Sequence, residues 1–136
     1  MVDLISLYDD IKVALRAEDD RVTRRFFHED FTFFEDPGMP YGGEFKGADK
    51  FIATRRVVRK YWQLEIESVC ADRNGERLVI VLKLTGHDDG PTAGLETWVC
   101  VVWRFHGEKA TEARVLYYDT PRIAQATATP SRAEAT

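Results

Sequence analysis

Hydrophobic residues in the first half of the chain recur with helical spacing, interrupted by one aromatic strand. Positions 4–17 predict a helix capped by Asp3, because apolar residues recur there at i, i+3, i+4 and i+7. A short second helix is predicted over 21–27, with Asp19 or Asp20 as its N-cap, and a third over 48–61. Between them, the aromatic run 31–36 predicts a strand, followed by a loop over 37–47.

The second half of the chain changes to the period of two that is typical of β-strands. Strands are predicted over 65–72, 77–86, 95–105 and 109–119, with a strong hairpin signal at Asn74-Gly75. Helices and one strand followed by a four-stranded antiparallel meander predict a single α+β domain over residues 1–120. The small, polar residues 121–136 are expected to form a disordered tail.

Candidate chemistry is concentrated where the first strand ends. That strand finishes on two carboxylates, Glu35 and Asp36, and runs into a segment with two prolines and four glycines. A carboxylate held at the rim of an apolar cavity is a candidate general base with a raised pKa. The alternative is that Asp36 caps the glycine-rich turn by accepting backbone N–H bonds.

Composition and charge restrict the classes of function. The 136 residues are 44% hydrophobic and 31% charged with a net charge of −4, which argues against a nucleic-acid binder. The apolar runs are far shorter than a membrane span, and the N-terminus carries acids where a signal peptide carries bases, so we expect a cytoplasmic protein. Cys70 and Cys100 are expected to be buried free thiols, and with three scattered histidines they show no metal-ligand spacing.

Four phrases of the sequence occur in an order known from one fold. They are residues 29–37, Pro40-Tyr41-Gly42-Gly43 with Gly47, residues 103–109, and Tyr117-Tyr118-Asp119-Thr120. With the element order, they resemble the nuclear transport factor 2-like (NTF2-like) superfamily, and within it the SnoaL-like proteins related to polyketide cyclases and ketosteroid isomerases. The resemblance covers residues 1 to about 120. It implies a cone-shaped fold in which three N-terminal helices pack on a curved antiparallel sheet around one pocket.

The same resemblance implies roles for particular residues. Asp36 matches the position of the ketosteroid isomerase general base. The tyrosine and second acid of those isomerases, and the last-strand acid of the cyclases, align near Lys12, Val101 and Val115. The electrophilic half of both known sites is therefore missing from its expected positions. This scaffold hosts both enzymes and binding modules, so the fold alone does not decide the function.

The last strand supplies the candidate that would replace the missing electrophile. Alternation puts Arg114, Leu116 and Tyr118 on one face, and the resemblance turns that face inward. An inward Arg114 would bind an oxyanion or pair with Asp36, whereas the alternative is a solvated arginine on the outer face. Tyr41 is the second candidate for stabilising the oxyanion.

The remaining candidates concern the lining of the pocket. Glu65 alternates with apolar neighbours, and we expect it to be exposed to solvent. The residues expected to bind substrate are Phe34, Val101, Trp103, Leu116 and Tyr118.

Two functions remain open at this point. The leading hypothesis is a cofactor-free enzyme in which Asp36 removes a proton alpha to a carbonyl of a small apolar or polycyclic substrate, with Arg114 or Tyr41 stabilising the oxyanion. The reaction would be an isomerisation, a cyclisation or a dehydration. The alternative is a non-catalytic module that binds a ligand or a protein on the same fold.

The strand predicted over 95–105 is apolar on both faces. Val99, Val101, Trp103 and Phe105 alternate with a second set that contains Trp98, Cys100 and Val102. A sheet covered by helices on one side normally shows polar residues on the other, so an exposed apolar face predicts an interface. We expect a homodimer through Trp98, Cys100 and Val102, and the resemblance implies the same arrangement.

Overall fold

The computed structural model of the chain describes residues 2–128. The helices are α1 (Leu4–Arg16), α2 (Asp20–Arg24), α3 (Ala48–Tyr61) and α4 (Thr120–Ala128). The strands are β1 (Phe27–Glu35), β2 (Gly43–Lys46), β3 (Trp62–Ala71), β4 (Arg77–Gly86), β5 (Glu96–His106) and β6 (Lys109–Tyr117).

Side-chain caps fix the starts of the first two helices. The carboxylate of Asp3 accepts a hydrogen bond from the Ser6 amide at 3.2 Å, and that of Asp19 accepts one from the Val22 amide at the same distance. Each bond satisfies a backbone donor that the first turn of a helix leaves unpaired. The predicted caps are confirmed, and the bounds predicted for the third helix agree with α3.

The six strands form one sheet in the order β2-β1-β6-β5-β4-β3. Strands β3 to β6 are the predicted antiparallel meander. Strand β1 joins its edge parallel to β6, with Phe33 opposite Ala113 and Phe34 opposite Arg114. Helices α1 and α3 pack on one face of this curved sheet, which confirms the expected α+β architecture.

Two elements, β2 and α4, are absent from the prediction, and β1 begins at Phe27 where the second helix was expected to end. Strand β2 forms inside the predicted loop 37–47, where Phe45 pairs with Phe33 of β1. The tail expected to be disordered from residue 121 is helical up to Ala128, while residues 129–136 lie outside the described residues. Pro121 stands in the first turn of α4, where its missing N–H costs nothing, and Ile123 is fully buried. Thr120 and Pro121 therefore begin a helix.

The two faces of the sheet are unequally covered. The inner face carries the core, including Phe31, Phe33 and Trp103, none more than 2% exposed. On the outer face Trp98 is 41% and Tyr118 71% exposed. The predicted homodimer through this face stays a prediction.

Several smaller expectations can be compared with the described residues. Cys70 is exposed and Cys100 is half-buried, so the expectation of buried thiols is wrong, although both are free. Glu65 is exposed, as predicted. No helix within residues 2–128 is long and apolar enough to cross a membrane.

Candidate functional site

A cavity of about 220 Å³ lies between the inner face of the sheet and the helices α1 and α3. Its middle is apolar, because the inward residues of β3 to β6 are aliphatic or aromatic. These are Leu64, Ile66, Leu82, Leu84, Val99, Val101, Trp103 and Val115. Val101 and Trp103 therefore line the cavity, and their role in binding substrate stays a prediction.

Glu35 is the carboxyl group on the wall of this cavity. It is the last residue of β1 and only 4% exposed. Burial raises its pKa to about 8, and the neighbouring charge of Asp36 acts in the same direction, while the Asp36 amide and the Tyr117 hydroxyl act against them. The Asp36 amide donates to Glu35 Oε1 at 3.0 Å. Glu35 is thus mostly a neutral acid at pH 7 and gains its charge near pH 8.

A pair of tyrosines adjoins Glu35. Tyr117 of β6 lines the cavity, and its hydroxyl oxygen is 2.9 Å from that of Tyr41. The ring of Tyr41 stacks on Tyr61, at the end of α3, with 6.4 Å between the ring centres. Burial raises the pKa of Tyr117, and it raises that of Tyr41 to about 12. Both hydroxyls therefore keep their protons at neutral pH and can donate hydrogen bonds.

Asp36, the predicted base, is not among the residues that line the cavity. Its Oδ1 accepts from the Gly38 amide at 2.9 Å and its Oδ2 from the Thr120 hydroxyl at 2.7 Å. These bonds cap the glycine-rich turn and attach α4 to it. The structure thus corrects the expected position of Asp36 and supports the capping alternative.

The electrophile predicted on β6 also lies elsewhere. The guanidinium of Arg114 sits 3.8 Å from the centre of the Phe34 ring on the outer face, and its Nε donates to Glu112 at 3.2 Å. Leu116 is 57% and Tyr118 71% exposed. The alternation that grouped these residues is right, but the face that they share points outward, so the expected inward orientation is wrong.

The physical reason for this orientation lies in the neighbours of Arg114. Ala113 and Val115, one residue to either side, are both buried. Since successive side chains of a strand point to opposite faces, Arg114 can only point outward when they point inward. A solvated guanidinium also avoids the cost of burying an unpaired charge.

The alternation of residues along β1 is enough to indicate Glu35 as an inward-facing carboxylate. It alternates with Phe31 and Phe33, both fully or nearly fully buried, so the same period that describes β1 puts all three on the core face. The resemblance to ketosteroid isomerases indicates Asp36 instead. Tyr117 alternates in the same way with Ala113 and Val115 on β6.

The helical wall of the cavity differs in charge from the sheet wall. It presents four cations, Lys12 and Arg16 from α1 and Arg55 and Arg59 from α3. Lys12 is paired with Asp9 at 3.1 Å. Within residues 2–128, no three or more His, Cys, Asp or Glu side chains are grouped so as to hold a metal ion.

Comparisons with known proteins agree with this architecture. The SnoaL-like domain family matches residues 8–113. An NTF2-like protein from Burkholderia thailandensis superposes with a TM-score of 0.74 at 21% identity, over 96% of this chain and all of the other. One from Burkholderia xenovorans gives 0.74 at 20% identity, over 90% and 94% of the two chains.

A third similar structure is Bal32a from a soil-derived mobile gene cassette. It gives a TM-score of 0.71 at 16% identity, over 89% of this chain and 93% of the other. Likeness at these identities establishes the fold and leaves the reaction open. No curated protein matches the sequence.

Proposed function

The chain belongs to the SnoaL-like domain family, and on that premise we propose that it is a cofactor-free enzyme that transfers a proton on a small, apolar, carbonyl-containing substrate. Proteins of this family are often isomerases or cyclases that need no cofactor. One observation carries the proposal. A carboxyl group, Glu35, lies on the wall of an apolar cavity with its pKa raised to about 8. Such a group can take up and return a proton near neutral pH.

The mechanism follows from the groups around Glu35. Its ionised form, roughly a tenth of the molecules at pH 7 for a pKa of about 8, removes a proton alpha to the substrate carbonyl. The electron pair of the C–H bond forms a C=C bond with the carbonyl carbon, and the π pair of the C=O bond moves to the oxygen, which gives an enolate. Glu35 then returns the proton to another carbon in an isomerisation, or to a departing hydroxyl in a dehydration.

The enolate oxygen needs a hydrogen-bond donor, and we assign this role to the hydroxyl of Tyr117. Its hydroxyl keeps its proton and adjoins Glu35, and Tyr41 can donate to it from behind at 2.9 Å. A second hydroxyl that donates to the first makes the first a stronger donor. The sheet wall next to these groups is apolar, which strengthens each of these interactions.

The test is proton exchange on a simple two-ring ketone. The alpha protons of 2-tetralone are followed by NMR in deuterated buffer, with and without the protein. We expect the parent to accelerate exchange, with a rate that rises with pH and levels off above about 8, where Glu35 is ionised. Glu35→Gln keeps the shape of the side chain and should lower the protein-dependent rate by about 100-fold or more.

Asp36→Asn is the matched control, because it makes the same carboxylate-to-amide change one residue along the chain. Its exchange rate should stay within about threefold of the parent's, since Asp36 does not line the cavity and burial is the main cause of the raised pKa of Glu35. Equal exchange by parent and Glu35→Gln would overturn the assignment of Glu35. A parent that binds 2-tetralone without accelerating exchange would favour the non-catalytic binding module instead.

A further inference from the structure

Three of the four cations that line the cavity have no carboxylate partner within 4 Å in the part of the chain that the structure describes. They are Arg16 at the end of α1 and Arg55 and Arg59 on α3. Other arginines on the nearby helical surface do have partners. Arg24 pairs with Asp49 and Arg56 with Asp20, each at 2.7 Å.

The three arginines without a carboxylate partner line the same helical wall of the cavity. Arg55 and Arg59 are one helical turn apart and so share a face of α3. Burial lowers the pKa of Arg55, and the charges of Arg59 and Arg16 lower it further, while the Tyr8 hydroxyl and the Glu18 carboxylate act against them. Arg59 and Arg16 are thus each close enough to repel Arg55, in a chain whose net charge is −4.

The helix dipole does not account for this arrangement. A cation in the last turn of a helix is favourable, which explains Arg16 and Arg59 separately. It does not explain Arg55, which lies a turn earlier, or why two helices direct their cations to the same cavity. An anion bound between them would remove the repulsion and receive several charge-assisted hydrogen bonds.

We propose that the cavity binds a small amphipathic molecule whose anionic head group, a carboxylate or a phosphate, is held by Arg16, Arg55 and Arg59 on the helical wall. The apolar body of the molecule then lies against the aliphatic middle of the cavity and reaches the sheet wall with Glu35. The inference deepens the proposed function and rests on it only in taking this cavity as the substrate site. The head group is the part that binds, and the carbonyl end is the part that reacts.

The size of the cavity restricts the ligand further. Its volume of about 220 Å³ is below the roughly 300–1,000 Å³ of sites for drug-sized ligands. A body of one or two fused rings fits this volume better than a four-ring steroid. The expected substrate is therefore a small aromatic or alicyclic keto acid, or the corresponding phosphate.

Binding of three two-ring compounds tests the proposal by calorimetry: 2-naphthoate, 2-naphthyl phosphate and the neutral 2-acetylnaphthalene. The parent should bind at least one anion about tenfold more tightly than the ketone, and added salt should weaken the binding of the anions but not that of the ketone. The tighter of the two anions identifies the head group. A parent that binds neither anion more tightly than the ketone would overturn the proposal.

Variants locate the head group within the cavity. Arg55→Gln and Arg59→Gln should each lower the affinity for the preferred anion by about tenfold and leave the affinity for the ketone within about twofold of the parent's. Arg59 is exposed, so its variant keeps the test available if Arg55→Gln does not fold. Lys60→Gln is the control, because it removes a positive charge next in sequence that does not line the cavity. Equal losses in Lys60→Gln and Arg59→Gln would indicate a general charge effect and contradict the proposal.

Glu35→Gln separates this inference from the proposed function. It should abolish the protein-dependent exchange of 2-tetralone and leave the affinity for 2-naphthoate within about threefold of the parent's. In the parent protein, anion binding without exchange of 2-tetralone would uphold the arginine site and overturn the enzyme. Exchange without anion preference would do the reverse.

Discussion

The inner and outer faces of the sheet are made by alternate residues of the same strands, yet they have opposite characters where β1 meets β6. The inner face there carries Phe33, Glu35 and Tyr117, all on the cavity wall. The outer face carries Phe34 stacked under the exposed guanidinium of Arg114. A single step along either strand thus moves a side chain from the cavity to solvent.

The adjacent carboxylates at the end of β1 show the same contrast. Burial raises the pKa of Glu35 to about 8, whereas Asp36 accepts hydrogen bonds from Gly38 and Thr120 and holds the turn together. Residue type does not distinguish the two, since both are carboxylic acids at the end of one strand. Environment alone gives one a position suited to chemistry and the other a structural role.

The largest expected effect comes from removing the buried indole of β5, and the exposed indole of the same strand is its control. Trp103→Ala should lower the free energy of unfolding by about 3–5 kcal/mol, because Trp103 is 2% exposed and packs against Phe51, with ring centres 5.1 Å apart. Trp98→Ala, on the same strand but 41% exposed, should cost less than about 1.5 kcal/mol. Urea unfolding in dilute samples measures both variants.

The dilute condition matters because the outer face is where the predicted homodimer would form. At higher concentration, Trp98→Ala should also weaken self-association if that prediction holds, and Trp103→Ala should not. Equal losses of unfolding free energy in both variants under dilute conditions would contradict the division into a packed inner face and an open outer face.

The sequence predicted most of the fold, because helix spacing, caps and strand alternation are local signals. The bounds of α3 and β4, and the antiparallel order of β3 to β6, followed from these signals alone. Alternation also grouped Arg114 with Leu116 and Tyr118 correctly. It could not say which group faces the helices, since that depends on where β1 and the helices pack in three dimensions.

The site was harder to predict, because it depends on contacts between distant segments. The hydroxyls of Tyr41 and Tyr117 lie 76 residues apart in sequence, and no local pattern brings them together. Four cations converge on the cavity from two helices that are separate in sequence. The burial that raises the pKa of Glu35 is likewise a property of tertiary packing.

The next effect in size is a pH dependence that belongs to Glu35. Because its pKa is about 8 in the folded chain and near 4.5 when exposed, the folded state holds more protons than the unfolded state between these values. The free energy of unfolding therefore falls as the pH rises from about 5 to 8 and then stays constant. Each unit of pKa difference between the two states contributes about 1.4 kcal/mol, so the total fall is a few kcal/mol at most.

Glu35→Gln isolates this contribution. The variant should equal the parent near pH 5, where Glu35 is protonated in the folded chain, and should exceed it in stability at pH 8–9. Asp36→Asn is the matched control, because it makes the same carboxylate-to-amide change at a half-buried residue outside the cavity lining, so the fall in stability between pH 5 and 8 should persist in it. Parallel curves for the parent and Glu35→Gln would mean that Glu35 titrates like an exposed acid, and the contrast between the two carboxylates would fail.

The smallest expected effect concerns the link between Asp36 and α4. Thr120→Val keeps the shape of the side chain and removes the hydroxyl that donates to Asp36 Oδ2 at 2.7 Å, so it should cost about 1–2 kcal/mol. The loss should be local, since Ile123 and the rest of α4 still pack on the core. Amide hydrogen exchange followed by mass spectrometry should therefore show that the variant exchanges faster than the parent in residues 120–128 and at the parent's rate elsewhere.

Thr111→Val is the control, because its hydroxyl makes a longer bond of 3.3 Å to the Arg104 carbonyl, away from Asp36. If the role of Asp36 is structural, Thr120→Val leaves the proton exchange of 2-tetralone unchanged. A loss of that exchange activity in Thr120→Val as large as the loss in Glu35→Gln would show that Asp36 takes part in the reaction.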